Sequence, residues 1–569
     1  MASAPYIIQQ EEVDAIVVGS GISGGWAAKE LCEKGLNTLV LERGRHVEHG
    51  TDYVTEHMPP WEMDLQGEDN LREIAEEYPM QSQGPLNPYT KHFYVKDSEH
   101  PYLTEEGKPY LWIRGYHLGG RSITWGRQVY RWSDLDFTAN LREGIAVDWP
   151  IRYDDVKDWY TYVERFIGVT GQAEGLAHLP DGDFLPPMEM TCVEAMAKER
   201  VEAAFPERKI IHGRAAILTV PHNGRAACHY CGPCDRGCST ASYFSSLGST
   251  LPAAEATGNL TIQTDAIVHS IIYDAQRGRA VGVRVVDRLT NEMREYYSRL
   301  VFLCASCLGS TQILLNSTSP TFPNGLGNSS GVLGHYLMDH HFRAGATATF
   351  DGFEERYTFG QRPNGTYIPR FRNISPETKQ QDFLRGYGYE AGASRASWQR
   401  ATHLQGFGAA FKHAMRDPGR WSFWMTAFGE TLPRYENYVE LDPDVKDQWG
   451  IPVLKFHADL GPNEEAMRED MAIAGAEMLE AAGGKNVTPY IDEYKPGEGI
   501  HEMGTARMGR DPATSILNGH NQIHSVPNVF VTDGACMTSS SCQNPSITYM
   551  TLTARAVDYA VQEMNRGNL

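Results

Sequence analysis

Long apolar runs are missing from this 569-residue chain. A membrane helix needs about 18 predominantly apolar residues, and stretches such as RLVFLCASCLGS are far too short, so no direct membrane span is expected. Positive charge is also scarce: 51 Lys and Arg stand against 72 Asp and Glu, a formal net charge of −21. Such an acidic field repels phosphate backbones and anionic lipid, which argues against nucleic-acid binding and membrane-surface docking and favours a neutral substrate or a positively charged protein partner. Ten cysteines do not make a disulfide scaffold and leave the compartment open. No internal repeat or low-complexity tract is visible. The opening MASAPYIIQQEEVDAIVVGS lacks the basic start, apolar core and cleavage site of an export signal, so export is expected only in company with another polypeptide.

What is present is a globular composition, 41% hydrophobic and 22% charged, long enough for two domains with sizeable cores. From Val13 an apolar run (VDAIVVG) leads through GSGISGG to AAKELCEKG at helical spacing and then to a second apolar run, NTLVLERG: a βαβ unit. Residues 50–110 lose periodicity and read as long irregular segments folded over something, a lid or partner surface. Strand signals return at 260–305. From about 335 to 490 strands alternate with aromatic-rich stretches, VPNVFVTDGA reads as a strand, and NPSITYMTLTARAVDYAVQEMNR reads as a closing helix. Nucleotide-binding elements at both ends and in the middle imply an inserted second domain.

Gly19, Gly21 and Gly24 form GSGISG between the first strand and its helix. Glycines there let the backbone turn and approach a pyrophosphate, and the helix N-terminus supplies N–H groups and dipole. Glu42, followed by Arg43, ends the second strand at the spacing of a ribose-hydroxyl acceptor. This motif does not separate NAD from FAD.

Cys228, Cys231, Cys234 and Cys238 form C-x2-C-x2-C-x3-C. Spacings of two suit the corners of a compact iron–sulfur cluster, as in bacterial ferredoxins, whereas structural zinc more usually takes two CxxC pairs separated by a longer loop. Zinc or no metal remain the alternatives. Ser239 stands where the ferredoxin pattern has proline after its fourth cysteine, which favours a 3Fe–4S over a 4Fe–4S cluster.

HEMGTARMG, VPNVFVTDGA, SSCQNPSITYMTLTARAVDYA and IRGYHLGGRSITWG together resemble the glucose–methanol–choline (GMC) family of FAD-dependent oxidoreductases. The resemblance implies an α/β + β fold: a Rossmann-like FAD-binding domain from residues 1–60, 105–135, 225–330 and 490–569, with an inserted substrate-binding domain of antiparallel sheet plus helices from 61–104, 136–224 and 331–489. It implies FAD held by Gly119, Gly120, Ser122, Thr124 and Trp125 as well as by the glycine turn, with Asp533 and Gly534 along the ribityl and pyrophosphate. Thr124 stands where some relatives carry a flavin-linking histidine, so the FAD is expected to be non-covalent. His501 is implied as the base that takes the substrate hydroxyl proton and Asn544 as its hydrogen-bonding partner; on residues alone, a core histidine and a helix N-cap read equally well.

The cysteine segment resembles the family's sugar-oxidising dehydrogenases of the glucoside 3-dehydrogenase type. That implies oxidation of a ring hydroxyl of glucose or a glucoside at C3, and a cluster relaying electrons to a c-type cytochrome subunit. It also implies a small export-signal-bearing subunit and a periplasmic location, with the cytoplasm as the alternative. Trp421, Phe423, Trp424 and Phe428, followed by Glu430 and Arg434, are candidate sugar contacts. The competing readings are an oxygen-using sugar or alcohol oxidase, or a non-catalytic electron-transfer or scaffold subunit.

Overall fold

A computed structural model describes residues 7–8, 12–396, 400–401 and 404–569. Its first sheet is built on the strand Val13–Val18, whose last four residues are all buried because neighbouring layers cover both faces. This strand pairs in parallel with Thr38–Leu41 on one side and Met293–Leu303 on the other. Leu260–Gln263 extends the sheet beyond Thr38–Leu41, and Val526–Val531 extends it beyond Met293–Leu303. Five stretches far apart in sequence thus make one parallel platform. An antiparallel ribbon, Ala266–Asp274 with Arg279–Asp287, leads into Met293–Leu303. The helix Ile22–Glu33 packs against the closing helix Ser546–Asn565 and against Thr250–Glu255.

The second sheet is antiparallel, in the order Lys485–Ile491, Ala344–Phe350, Trp421–Glu430, Tyr387–Ser394, Thr366–Ile368 and Ile211–His212. His340–His341 adds a two-residue pairing with Glu430 and Gly429. Strand alternation sorts the sheet's faces. Trp421, Phe423, Met425 and Ala427 pack into a core with Met467, Met471 and Met478 of the helix Pro462–Ala481, each large apolar side chain contributing about 1.5–3 kcal/mol. Phe428 and Glu430 lie on the other face.

Residues 50–110 hold a short helix, Leu71–Glu77, among single turns. Part of this stretch reaches the cleft between the sheets, where Pro85 and Tyr94 line the cavity described below. No helix among the described residues is long and apolar enough to cross a membrane.

Candidate active site

A cavity of about 530 Å³ runs from the glycine turn at the C-terminal end of the first strand to the face of the second sheet. Gly19 has φ +92°, and a Cβ there would lie 2.5 Å from the Cys304 carbonyl oxygen, so only glycine lets the chain turn against the neighbouring strand. The helix that follows starts at Ile22 with Gly21 as N-cap and no side-chain cap. Its first N–H groups are left free at the cavity, the arrangement that binds a phosphate anion. Glu42 accepts the Ser20 N–H at 3.1 Å and the Gly44 N–H at 2.8 Å. Oε2 also accepts from Ser20 Oγ at 2.5 Å, so of about four lone-pair sites one, on Oε1, is left for a ribose hydroxyl.

The second segment folds over this turn. Gly120 lies with its Cβ direction 3.3 Å from the Gly21 Cα, and Gly119 donates its N–H to Ser20 Oγ at 2.9 Å. Gly19, Gly21, Glu42, Arg43, Gly120, Ser122, Thr124, Trp125, Asp533 and Gly534 all line the cavity. Gly24 and Gly119 do not; they are packing glycines behind it. Asp533 accepts from Ser310 Oγ and, at 3.0 Å, from the Ala535 N–H, and burial pushes its carboxyl up to about 6.

His501 and Asn544 line the same cavity, brought there by two C-terminal loops. The buried carboxylate of Asp339 fixes the first loop: Oδ1 accepts the N–H of His501 and of His340, each at 2.8 Å, and Oδ2 accepts the N–H of Gly499 at 3.0 Å. Between these anchors Ile500 takes φ +56°, a left-handed conformation that a β-branched residue avoids unless held. Burial, with His340 and Arg121 nearby, lowers the His501 imidazole well below its ordinary range, so it is neutral and able to take a proton. Phe342 and Phe428 stack at 5.2 Å with an interplanar angle of 1° and wall the same end of the cavity.

Residues 13–342 and 433–553 match the N-terminal and C-terminal models of the GMC oxidoreductase family. The chain belongs to the GMC oxidoreductase family. It is similar to 2-methyl-1,2-propanediol dehydrogenase from Mycolicibacterium austroafricanum, 27% identical with 96% of this chain and 95% of the relative covered. It is also similar to the fructose dehydrogenase large subunit from Gluconobacter japonicus, 24% identical with 97% of this chain and 98% of the relative covered. Among solved structures, pyridoxine 4-oxidase from Mesorbium loti shares the fold, with TM-score 0.57 over 96% of this chain and 99% of that one at 13% identity.

GMC oxidoreductases bind FAD. The residues present in this GMC oxidoreductase fit that group: the open glycine turn, the uncapped helix start, and buried Arg43 Nε and Arg121 Nη1, which have no partner among the described residues. Arg121 also pairs with Glu502 at 3.1 Å, holding the cavity wall to the His501 loop.

The cysteines do not stand in a formed metal site. Among the described residues no three His, Cys, Asp or Glu groups are placed to hold a metal ion. All four thiols are free and share one neighbourhood, in which Cys228, Cys234 and Cys238 pack with Trp125 against Met188, Ala215, Ile217 and Tyr243. Cys228 Sγ accepts the Tyr230 N–H at 3.4 Å, Cys238 Sγ contacts Thr240 Oγ1 at 3.3 Å and Ser242 Oγ at 3.2 Å, and Cys231 is exposed. Burial raises the Cys228 and Cys231 thiols and pushes Cys234 up to about 11. The cluster expected from the spacing is therefore not supported, and no step is routed through it.

Of the aromatic candidates only Phe428 reaches the cavity. Trp421 and Phe423 face the core on the opposite side of their strand, and Trp424 is exposed. Glu430 is buried between Arg370 at 2.8 Å and Arg385 at 3.4 Å, and Arg434 turns to Glu464 and the Asp459 carbonyl. The sequence reading missed Glu390, Phe342 and His340. Glu390 lines the cavity from the strand Tyr387–Ser394; the only signal for it is a lone carboxylate in an otherwise apolar and small-residue run.

Proposed function

We propose that this GMC oxidoreductase oxidises a ring hydroxyl of glucose or a glucoside, at C3, to a 3-keto sugar. The observation that carries the reading is that His501 and Asn544 share one cavity with the glycine turn. The family acts on CH–OH groups of sugars and alcohols. FAD, when bound, supplies the acceptor for the hydride leaving the substrate carbon. The chain's own residues do the rest: neutral His501 takes the hydroxyl proton, the Asn544 amide hydrogen-bonds and orients that hydroxyl, and Phe342 and Phe428 offer apolar faces and exclude water. Glu390, hydrogen-bonded to Asn544, fixes that amide.

Electrons then pass to a c-type cytochrome partner. The fructose dehydrogenase relative, named as a large subunit, supports assembly with further subunits; in this reading one of them is small and carries the export signal, and the enzyme works in the periplasm. The acidic surface supports a positively charged acceptor. The C3 position and the cytochrome acceptor rest on the resemblance of the cysteine segment; the roles given to His501 and Asn544 do not depend on it.

Anaerobic absorbance spectra of the purified protein with glucose or a methyl glucoside, followed by aerobic turnover with cytochrome c, give the test. Bleaching of the flavin bands, formation of the 3-keto sugar and reduction of cytochrome c faster than of oxygen are expected. His501→Ala should slow bleaching by about 10²–10⁴-fold with flavin retained. A flavin that no sugar reduces overturns the substrate class, and hydrogen peroxide as the main product makes the enzyme an oxidase.

A further inference from the structure

His340 is buried beneath the His501 loop, and its two ring nitrogens have different partners. Nε2 meets the backbone carbonyl oxygen of Ser541 in a short hydrogen bond, and Nδ1 lies 3.0 Å from Nδ1 of His501. A carbonyl oxygen can only accept, so the proton of His340 must sit on Nε2. Burial pushes the His340 imidazole down to about 4, so at neutral pH it carries that one proton only, and its Nδ1 is a bare acceptor. The contact between the two Nδ1 atoms is then a hydrogen bond only if His501 donates. His501 is also neutral, so a proton on its Nδ1 leaves Nε2 with the lone pair.

The carboxylate of Asp339, the other buried acceptor at this loop, is already taken up. It holds the N–H groups of His340, Gly499 and His501; the Tyr494 hydroxyl, 3.3 Å from Oδ2, donates at 2.7 Å to the His340 carbonyl oxygen. The reverse arrangement, with His340 donating from Nδ1, requires either two lone pairs facing each other at Ser541 or a cationic His340 in a buried site. Both are costly.

We infer that His340 is a positioning residue that sets the tautomer of His501, taking its Nδ1 proton so that Nε2 is the nitrogen free to accept the substrate proton. This rests on the reading of His501 as the base. When His501 accepts the proton on Nε2 it becomes cationic, and its Nδ1–H bond to His340 becomes charge-assisted and stronger, so the same contact stabilises the state that forms during reaction. No proton need leave His340 for this to work; Ser541, in the loop that also carries Asn544, anchors the far end of the relay of hydrogen bonds.

The test begins with the ¹⁵N shifts of histidine-labelled, FAD-loaded enzyme at pH 7.5, with His501 assigned by its loss in His501→Gln. His501 should show a protonated Nδ1 and a bare Nε2; the opposite tautomer overturns the inference whatever the substrate. In His340→Phe, which keeps the bulk and removes the acceptor, that tautomer should be lost, and the rate of flavin bleaching by methyl glucoside should fall about 10–10²-fold with flavin content unchanged. His340→Asn, whose Oδ1 can replace Nδ1 as acceptor, should recover most of the rate and the tautomer, which a purely structural role would not predict. If His340→Phe leaves both tautomer and rate unchanged while His501→Ala is inactive, the positioning role fails and the base survives. If His501→Ala bleaches normally, it is the reading of His501 that fails.

Discussion

The side-chain amide of Asn544 donates to Oε1 of Glu390 across 3.1 Å, tying the loop before the closing helix to the strand Tyr387–Ser394 at the cavity wall. Burial pushes the Glu390 carboxyl up from 4.5 to about 7. An acid whose folded pKa is raised contributes stability that is fully present below its unfolded pKa and lost as pH rises through the folded one, here between about 4.5 and about 7. Glu390→Gln, neutral at every pH, should therefore match the native protein near pH 4.5 and exceed it by about 2–3 kcal/mol at pH 8.5. Thermal unfolding at the two pH values measures this, and an equal difference at both would refute it.

Asp339 predicts a coupled loss of stability and turnover. Asp339→Ala leaves the buried N–H groups of His340, Gly499 and His501 without their acceptor, at about 1–3 kcal/mol for each group left unsatisfied. It also releases the left-handed Ile500. Denaturant titration should show a loss of at least about 3 kcal/mol, and sugar-dependent turnover should collapse in the fraction that still holds flavin. Normal turnover in such a variant would mean that the loop is held by something else.

Gly19→Ala acts on the nucleotide site. The added Cβ meets the Cys304 carbonyl at 2.5 Å in a backbone conformation disfavoured for alanine. The strand end must shift, and flavin per protein after gel filtration should fall sharply. Full flavin occupancy would contradict the role of the turn.

For the cysteine segment, Cys231→Ser should leave thermal stability within about 0.5 kcal/mol and sugar-dependent flavin bleaching unchanged, because the thiol is exposed and serves no described ligand set. Iron and acid-labile sulfide are to be assayed in the native protein and in the variant. Three or four irons per chain, lost in the variant, would show that the segment closes around a cluster after all.

The contrast between the glycine turn and the cysteines explains how far the sequence could be read. GSGISG works through backbone geometry within a few residues, so strand, turn and uncapped helix follow from local order. The four cysteines are as close in sequence, yet ligation depends on where each sulfur points. Tyr230, Thr240 and Ser242 draw two of those sulfurs into other contacts. The aromatic strand Trp421–Glu430 shows the same limit. Its composition says that aromatic rings are present; period-two alternation and the helix Pro462–Ala481 decide that Trp421 and Phe423 are core while Phe428 faces the cavity.

The sequence by itself determined the βαβ opening and the family motifs that carry His501 and Asn544, because each is written in contiguous residues. Only the tertiary structure decided what surrounds those two side chains. His340 reaches His501, and Glu390 reaches Asn544, across separations of 161 and 154 residues through sheet pairing and loop packing. Burial at and behind that cavity sets the protonation of His340, His501 and Glu390, a property that residue type and local spacing do not carry.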